Sequence, residues 1–310
     1  MYKPVSERLV AGATIVLDGG TGTDIQHRGV AMDSDVWCAQ ANLDHPGVVR
    51  EVHADYIRAG AEVITANTYA SSPLLFNALG RDADLAKVDG IALRLAREAI
   101  EETGAQNVAV AGSMSILRPL VPGTDQVSPE FGWSEDQASA LFRAKADGLA
   151  EAGADLIIVE MMRDLEVSLW ATRAAVATGL PVWCGIAVER DADGLLMGYN
   201  TPQYRLDELI QGLMSEGPVA CLIMHSRISD TDEALSVVAS QWTGPMGAYP
   251  EAGEFKMPDW QFQDVSPEEF TSATLRWQDM GARILGGCCG IGPDHIAAMA
   301  KALRAGERVA

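Results

Sequence analysis

The sequence predicts an α/β fold: a single-domain, eight-stranded (β/α)8 barrel of the TIM type over residues 1–310. Three observations carry that prediction. Eight short β-rich runs recur along the chain, amphipathic helical stretches separate them, and 310 residues suit a barrel of roughly 250 residues with insertions. Buried parallel strands alternating with helices indicate α/β, and a count of eight favours a closed barrel over an open doubly wound sheet.

The strand runs are Ala13–Asp18, Glu62–Thr65, Val108–Gly112 and Asp155–Glu160, then Pro181–Ile186, Val219–His225, Pro245–Tyr249 and Arg283–Gly286. Between them, apolar residues recur at helical spacing. Examples are Val48, Val49, Val52 and Tyr56; Leu85, Val88, Ile91, Leu95 and Ala99; and Ala138, Leu141, Phe142, Lys145 and Leu149. Gly-Ala steps at 60–61, 153–154 and 281–282 supply helix C-caps before the next strand. The Pro/Gly-rich stretch Leu117–Trp133 is too long for a simple βα turn and is expected to cap the barrel mouth as a loop. A second long loop is expected at Tyr249–Pro267, carrying Trp260 and Phe262.

Composition narrows the function. A net charge of −20 argues against nucleic acid and anionic membranes, whose binding needs clustered Lys and Arg. No apolar run of about 18 residues is present, and Met1–Arg8 lacks the layout of a signal peptide, so a cytoplasmic setting is expected. Five cysteines, scattered except for one pair, suit a reducing compartment better than a disulfide framework.

That pair, Cys288-Cys289 in Gly286-Gly-Cys-Cys-Gly290, falls at the end of the eighth run. Adjacent Cα atoms stand only about 3.8 Å apart, below the usual disulfide range, so an unstrained bridge between the two is disfavoured. Two thiols at one strand end can instead grip a soft metal ion. Catalytic groups in such barrels come from the C-terminal strand ends. Those ends read Asp18-Gly-Gly20, Thr65–Tyr69, Gly112-Ser113, Glu160, Ala187, His225, Tyr249-Pro250 and Cys288-Cys289. His225, Cys288 and Cys289 can therefore converge as three ligands of Zn²⁺, with the fourth position open for substrate.

At this point the chain resembles the zinc-dependent homocysteine S-methyltransferases, a family with betaine-dependent and S-methylmethionine-dependent members. The resemblance rests on Val16–Thr23, His53–Ala61 leading to Ala66–Tyr69, Asp155–Glu160, Ala248–Glu254 before Trp260, and Gly286–Gly290. It implies an eight-stranded barrel, Zn²⁺ as cofactor, an onium methyl donor and a small thiol acceptor, with homocysteine giving methionine. A homo-oligomer is left open.

One departure stands out. The family has an Asn-Cys pair at the end of strand six, and the ungapped register puts Met224 and His225 there. A one-residue slide would put Ser226, a poor zinc ligand, at that position; Cys221, four residues before His225, reads as a packing residue deep in the barrel. Replacing an anionic thiolate by imidazole takes the resting site from net −1 to 0. Such a site implies either an activated donor such as a sulfonium or an acceptor other than homocysteine.

By the same resemblance, Asp18, the N–H groups of Gly19 and Gly20, and Glu160 hold the amino-acid ends of the acceptor, while Trp37 and Tyr69 face the onium group. Asn67 and Thr68 either bond substrate or close the second βα turn. Met161 stands where the betaine-dependent branch has a tyrosine, and Trp133 is a candidate replacement surface. His27, His45, His53 and His295 are expected to be structural. Other readings are a metal-free relative that binds an onium or amino-acid ligand, a subunit of a cobalamin- or folate-linked system, and a redox role for the thiol pair.

Overall fold

The computed structural model describes residues 2–256 and 259–307; Met1, Met257, Pro258 and residues 308–310, which include the ends of the single-domain reading, lie outside the described residues. Eight parallel strands form the central sheet: β1 (Ile15–Val16), β2 (Val63–Thr65), β3 (Ala109–Ser115), β4 (Leu156–Met162), β5 (Val182–Ile186), β6 (Ala220–Arg227), β7 (Met246–Glu251) and β8 (Ile284–Leu285). Going round, the order is β1, β8, β7, β6, β5, β4, β3, β2. A parallel bridge from Leu17 to Val63 joins β1 to β2 and closes the barrel. All eight runs expected from the sequence are present.

Alternation along the strands sorts the core into two layers. Ile15, Leu17, Val63, Leu156, Ile158, Trp183, Leu222 and Ile284 pack inside the barrel. Val16, Ile64, Val110, Ile157, Cys184 and Cys221 face the surrounding helices. Cys221 is thus a packing residue as expected, but in the outer layer and not the barrel interior. The Trp183 indole is accommodated inside because Ala109, Ala111 and Ala220 share that layer. At the N-terminal end of the barrel, the helix Tyr2–Val10 adds Val5 to the interior cluster, and Trp183 Nε1 donates to Tyr2 Oη at 3.1 Å.

The helices follow their expected stripes. In Pro46–Ala59, Val49, Val52 and Tyr56 are buried; in Glu135–Glu151, Ala138, Phe142, Lys145 and Leu149 are buried. Gly60, Gly153 and Gly281 take φ of 110°, 93° and 101°, the left-handed conformation a helix C-terminus requires. Ser134 with Gln137, and Ser266 with Glu269, form capping boxes.

Two excursions depart from the expected loops. After β5 the chain makes a three-stranded antiparallel sheet, Val188–Arg190, Leu196–Gly198 and Thr201–Arg205. The expected loop after β7 contains an antiparallel hairpin, Gly253–Lys256 with Asp259–Phe262. The 117–133 segment is a loop, as expected, with one bridge from Leu120 to Val127. Among the described residues, no helix is long and apolar enough to cross a membrane.

Candidate active site

A cavity of about 850 Å³ opens at the C-terminal ends of the strands. Local backbone irregularity decides what faces it. On β6, Ala220, Leu222 and Met224 point inward while Cys221 and Ile223 point outward, so a regular strand would turn His225 toward the helices. Instead His225 has φ of 49°, and the pairing of β6 with β7 shifts register between Tyr249 and Glu251. The irregularity brings the imidazole to the cavity. Likewise Met161 has φ of 61° where the β4–β5 register shifts between Val159 and Met162. Trp37, with φ of 47°, lines the same cavity. Such backbone conformations cost of order 1–3 kcal/mol each and concentrate at functional sites.

At the cavity floor, His225 Nδ1 stands 3.2 Å from Cys288 Sγ, and Cys288 Sγ is 3.7 Å from Cys289 Sγ. His225 Nε2 is 2.7 Å from Glu160 Oε2. Gly286 and Gly290 make the thiol loop possible. A Cβ on Gly286 would meet the Asp18 carbonyl oxygen at 2.7 Å, and one on Gly290, whose φ is 83°, would meet the Ala252 carbonyl oxygen at 2.0 Å. The loop is fixed to β7 and its exit by Cys288 N–H donating to Pro250 O and Ala252 N–H donating to Cys289 O, both at 2.7 Å.

Electrostatics follow from burial. Burial pushes the Cys288 thiol well above its ordinary pKa. Burial alone would lower His225, but Cys288 and Glu160 beside the ring hold it well above the usual imidazole range. Desolvation raises Asp18 to about 7, against hydrogen bonds from Thr65 N–H, Thr65 Oγ1 and Tyr249 Oη.

The expected site residues divide into two groups. Gly20, Trp37, Asn67, Tyr69, Glu160, His225, Cys288 and Cys289 line the cavity, whereas Asp18 and Gly19 do not. Asp18 is fully buried and accepts from Thr65 and Tyr249; Tyr249 Oη also donates to the Gly19 carbonyl at 2.8 Å. The Gly20 N–H is not available to a substrate carboxylate, since it donates to Ile291 O at 2.9 Å. Asn67 is likewise engaged within the protein: it accepts from Cys38 Sγ and donates to Cys38 O and Asn42 Oδ1. Thr68 closes the second βα turn against Ser113. Ser226 Oγ donates to Met224 O and accepts from Val188 N–H, leaving His225 as the strand-six group that meets Cys288.

The aromatic expectations change in detail. Trp37 meets Tyr69 edge-on at 6.3 Å and Phe255 at 5.8 Å, and Tyr69 lies 5.2 Å from the His225 ring. Phe255 belongs to the hairpin within the segment expected to be loop. Trp133 is absent from the lining; it stacks on Phe131 of its own loop and donates to Asn77. Cys38, Glu251, Arg118 and Arg163 also line the cavity and were not singled out from the sequence. The Trp37-Cys38 adjacency was the available signal for Cys38. Glu251 lies in the Ala248–Glu254 segment that carries the resemblance, whereas no comparable motif marks Arg118 or Arg163. Of the remaining histidines, His27 stacks on Phe262 and His295 pairs with the Val265 carbonyl, both away from the cavity.

As the side chains stand, no group of three His, Cys, Asp or Glu among the described residues already encloses a metal position. The donor chemistry nevertheless fits zinc. Two thiolates on a tetrahedral zinc at about 2.3 Å would lie about 3.8 Å apart, and an imidazole nitrogen at about 2.0 Å would lie about 3.5 Å from each. The sulfur pair here stands at 3.7 Å and the sulfur–nitrogen pair at 3.2 Å.

The barrel carries a thiol pair at its strand ends, and comparison with known proteins gives the family and, with it, the methyltransferase class. The homocysteine S-methyltransferase family model matches residues 15–303, and the chain belongs to that family. It is 28% identical over 295 residues to the homocysteine S-methyltransferase of Escherichia coli K12, covering 92% of this chain and 94% of that one. It is 27% identical over 326 residues to the betaine–homocysteine S-methyltransferase 1 of Xenopus laevis, covering 97% of this chain and 75% of that one. The crystal structure of the metallated form of the E. coli homocysteine methyltransferase MmuM superposes with a TM-score of 0.75 at 25% identity, over 97% of this chain and 99% of the other.

Proposed function

We propose that the chain transfers a methyl group from a sulfonium or quaternary ammonium donor to homocysteine, giving methionine, at a zinc site held by His225, Cys288 and Cys289. One observation carries the reading: Cys288 Sγ lies 3.2 Å from His225 Nδ1 and 3.7 Å from Cys289 Sγ on the floor of a cavity walled by Trp37 and Tyr69.

Zinc bound there would supply the Lewis acidity that keeps the acceptor sulfur ionised at neutral pH. The acceptor sulfur forms a bond to the methyl carbon as the bond from that carbon to the donor sulfur or nitrogen breaks. The electron pair leaves with the donor, and the thiol proton goes to solvent. The chain supplies the geometry. Glu160 accepts from His225 Nε2, which leaves the Nδ1 lone pair as the ligand. Glu160 Oε1 has no hydrogen bond to a described residue and is assigned to the acceptor's ammonium group. Asp18 and Gly19 act from behind, by fixing the Tyr249 hydroxyl, and Gly20 forms part of the wall. Trp37 and Tyr69 present ring faces and edges to the onium centre, and aromatic faces attract such cations. A neutral imidazole in place of a thiolate makes the site a stronger Lewis acid, favouring an activated sulfonium donor. All five cysteines are free, in keeping with a reducing cytoplasmic setting.

Metal analysis of the purified protein, coupled to mass spectrometry of thiols incubated with S-methylmethionine or betaine, tests the reading. About one zinc per chain is expected, lost in His225→Ala, together with methionine formed from homocysteine. A folded protein with neither zinc nor transfer would instead be a ligand-binding relative.

A further inference from the structure

Two guanidinium groups face this cavity without adequate partners. Arg163 follows β4, is 5% exposed, and lines the cavity with Arg118 of the long third loop. The Nε atoms of both are buried and make no hydrogen bond among the described residues. Among the described residues, Arg163 reaches a single acceptor, the Tyr199 carbonyl, at 3.5 Å through Nη1, and Arg118 a single carboxylate within 4.0 Å, Asp164 Oδ2 at 3.9 Å. The other Asp164 oxygen accepts from the N–H groups of Glu166 and Ser168, each at 3.0 Å. Asp164, partly committed elsewhere, and Glu166 thus stand near Arg118, while no carboxylate among the described residues pairs with Arg163.

The arrangement is built, not incidental. The Arg163 N–H donates to Ser168 Oγ at 3.0 Å and its carbonyl accepts from Thr201 Oγ1. A Cβ on Gly198 would meet that carbonyl oxygen at 2.1 Å, so the antiparallel excursion packs directly on the Arg163 backbone. Burial and the adjacent Arg163 charge lower the Arg118 pKa against Asp164 and Glu166, and the Arg163 charge also reaches Tyr69 of the aromatic wall. A buried guanidinium with unpartnered N–H groups is costly unless an anion meets it, and its planar fork matches a carboxylate. Such a pair is conspicuous in a chain of net charge −20.

We propose that Arg163 and Arg118 form an anion subsite that receives the carboxylate of an onium-carboxylate methyl donor. The inference rests on the methyl-transfer reading for the donor's identity, while the anion subsite itself stands on the arginines. With the onium centre at Trp37 and Tyr69 and the carboxylate at Arg163, the two ends of the donor set its orientation.

The test is calorimetric and needs no turnover. Binding of 3-(dimethylsulfonio)propanoate, ethyldimethylsulfonium and propionate is compared in the wild type, Arg163→Gln and the less buried Arg118→Gln, with circular dichroism checking the fold of each. The two carboxylates are expected to lose roughly tenfold or more in affinity in Arg163→Gln, the scale of a charged hydrogen bond, with ethyldimethylsulfonium unchanged. Equal loss for all three probes, or none for any, overturns the subsite. If Arg163→Gln does not fold, Arg118→Gln decides on the same criterion. Propionate binding that is lost in the variant, with neither sulfonium bound by the wild type, keeps the subsite and rejects the onium reading. A selective loss for homocysteine, with 3-aminopropane-1-thiol unaffected, assigns the carboxylate to the acceptor and overturns the donor assignment.

Discussion

His225 Nε2 lies 2.7 Å from Glu160 Oε2, so the carboxylate fixes which imidazole nitrogen faces Cys288. A carboxylate behind a ligating histidine orients the ring and raises its basicity, and removing such a partner typically costs 10- to 100-fold in metal affinity. Glu160→Gln is therefore expected to weaken zinc binding by about that factor, measured by competition with a chromogenic chelator. Unchanged zinc affinity with a raised KM for the thiol would confine Glu160 to substrate binding.

The aromatic wall makes a separable prediction. Trp37 and Tyr69 meet edge-on at 6.3 Å beside His225. Trp37→Leu is expected to cost about 0.5–2 kcal/mol in binding a cationic donor, with little effect on a neutral isostere. Calorimetry with the matched pair would decide, and equal losses would mean that Trp37 acts by packing alone.

Lys145 Nζ, fully buried, pairs with Asp89 Oδ1 at 2.8 Å and donates to the Thr68 and Ser71 carbonyls. It thereby anchors the loop that follows Asn67. Lys145→Met leaves Asp89 buried without its cation and is expected to destabilise the fold by about 3–5 kcal/mol. Chemical denaturation would show this as a lower midpoint with an unchanged slope, and the double variant Lys145→Met/Asp89→Leu should recover much of the loss.

His53 supplies a pH signature remote from the cavity. It is fully buried, neither ring nitrogen has a hydrogen-bond partner among the described residues, and desolvation lowers its pKa from 6.5 to about 4. The unfolded chain then binds a proton more readily than the folded one. Stability contributed by the neutral ring is full above pH 6.5 and is lost as pH falls toward 4, by about 3 kcal/mol at roughly 1.4 kcal/mol per unit. His53→Leu should flatten this part of the acid limb in urea titrations between pH 7 and 4. An unaltered slope would show that the folded protein accommodates the proton.

The barrel was legible because its signals are local. Each β run carries its own apolar periodicity, each Gly-Ala step its own cap, and Cys288 and Cys289 are adjacent in the chain. His225 was picked out by residue type at a strand end, and the family resemblance set it, rather than Ser226, in the ungapped register; the structure brings its ring beside Cys288. The excursion 188–205 and the hairpin carrying Phe255 were not legible, because their short antiparallel strands are stabilised by what they pack on and not by a strong pattern of their own. Trp133 was a fair candidate by residue type, but its own loop claims it.

By itself the sequence determined the strand count, the helical stripes and the set of donor groups at the strand ends, all consequences of side-chain periodicity and residue chemistry. Only the tertiary structure decided how those groups are used. Register shifts at Met161 and His225 turn side chains that alternation alone would misplace. Hydrogen bonds from distant segments engage Asp18 and Asn67, while Arg118 and Arg163, 45 positions apart, line one cavity with Nε groups unpartnered among the described residues. Burial and partner count are properties of the assembled barrel, and they separate residues that line the site from residues that build it.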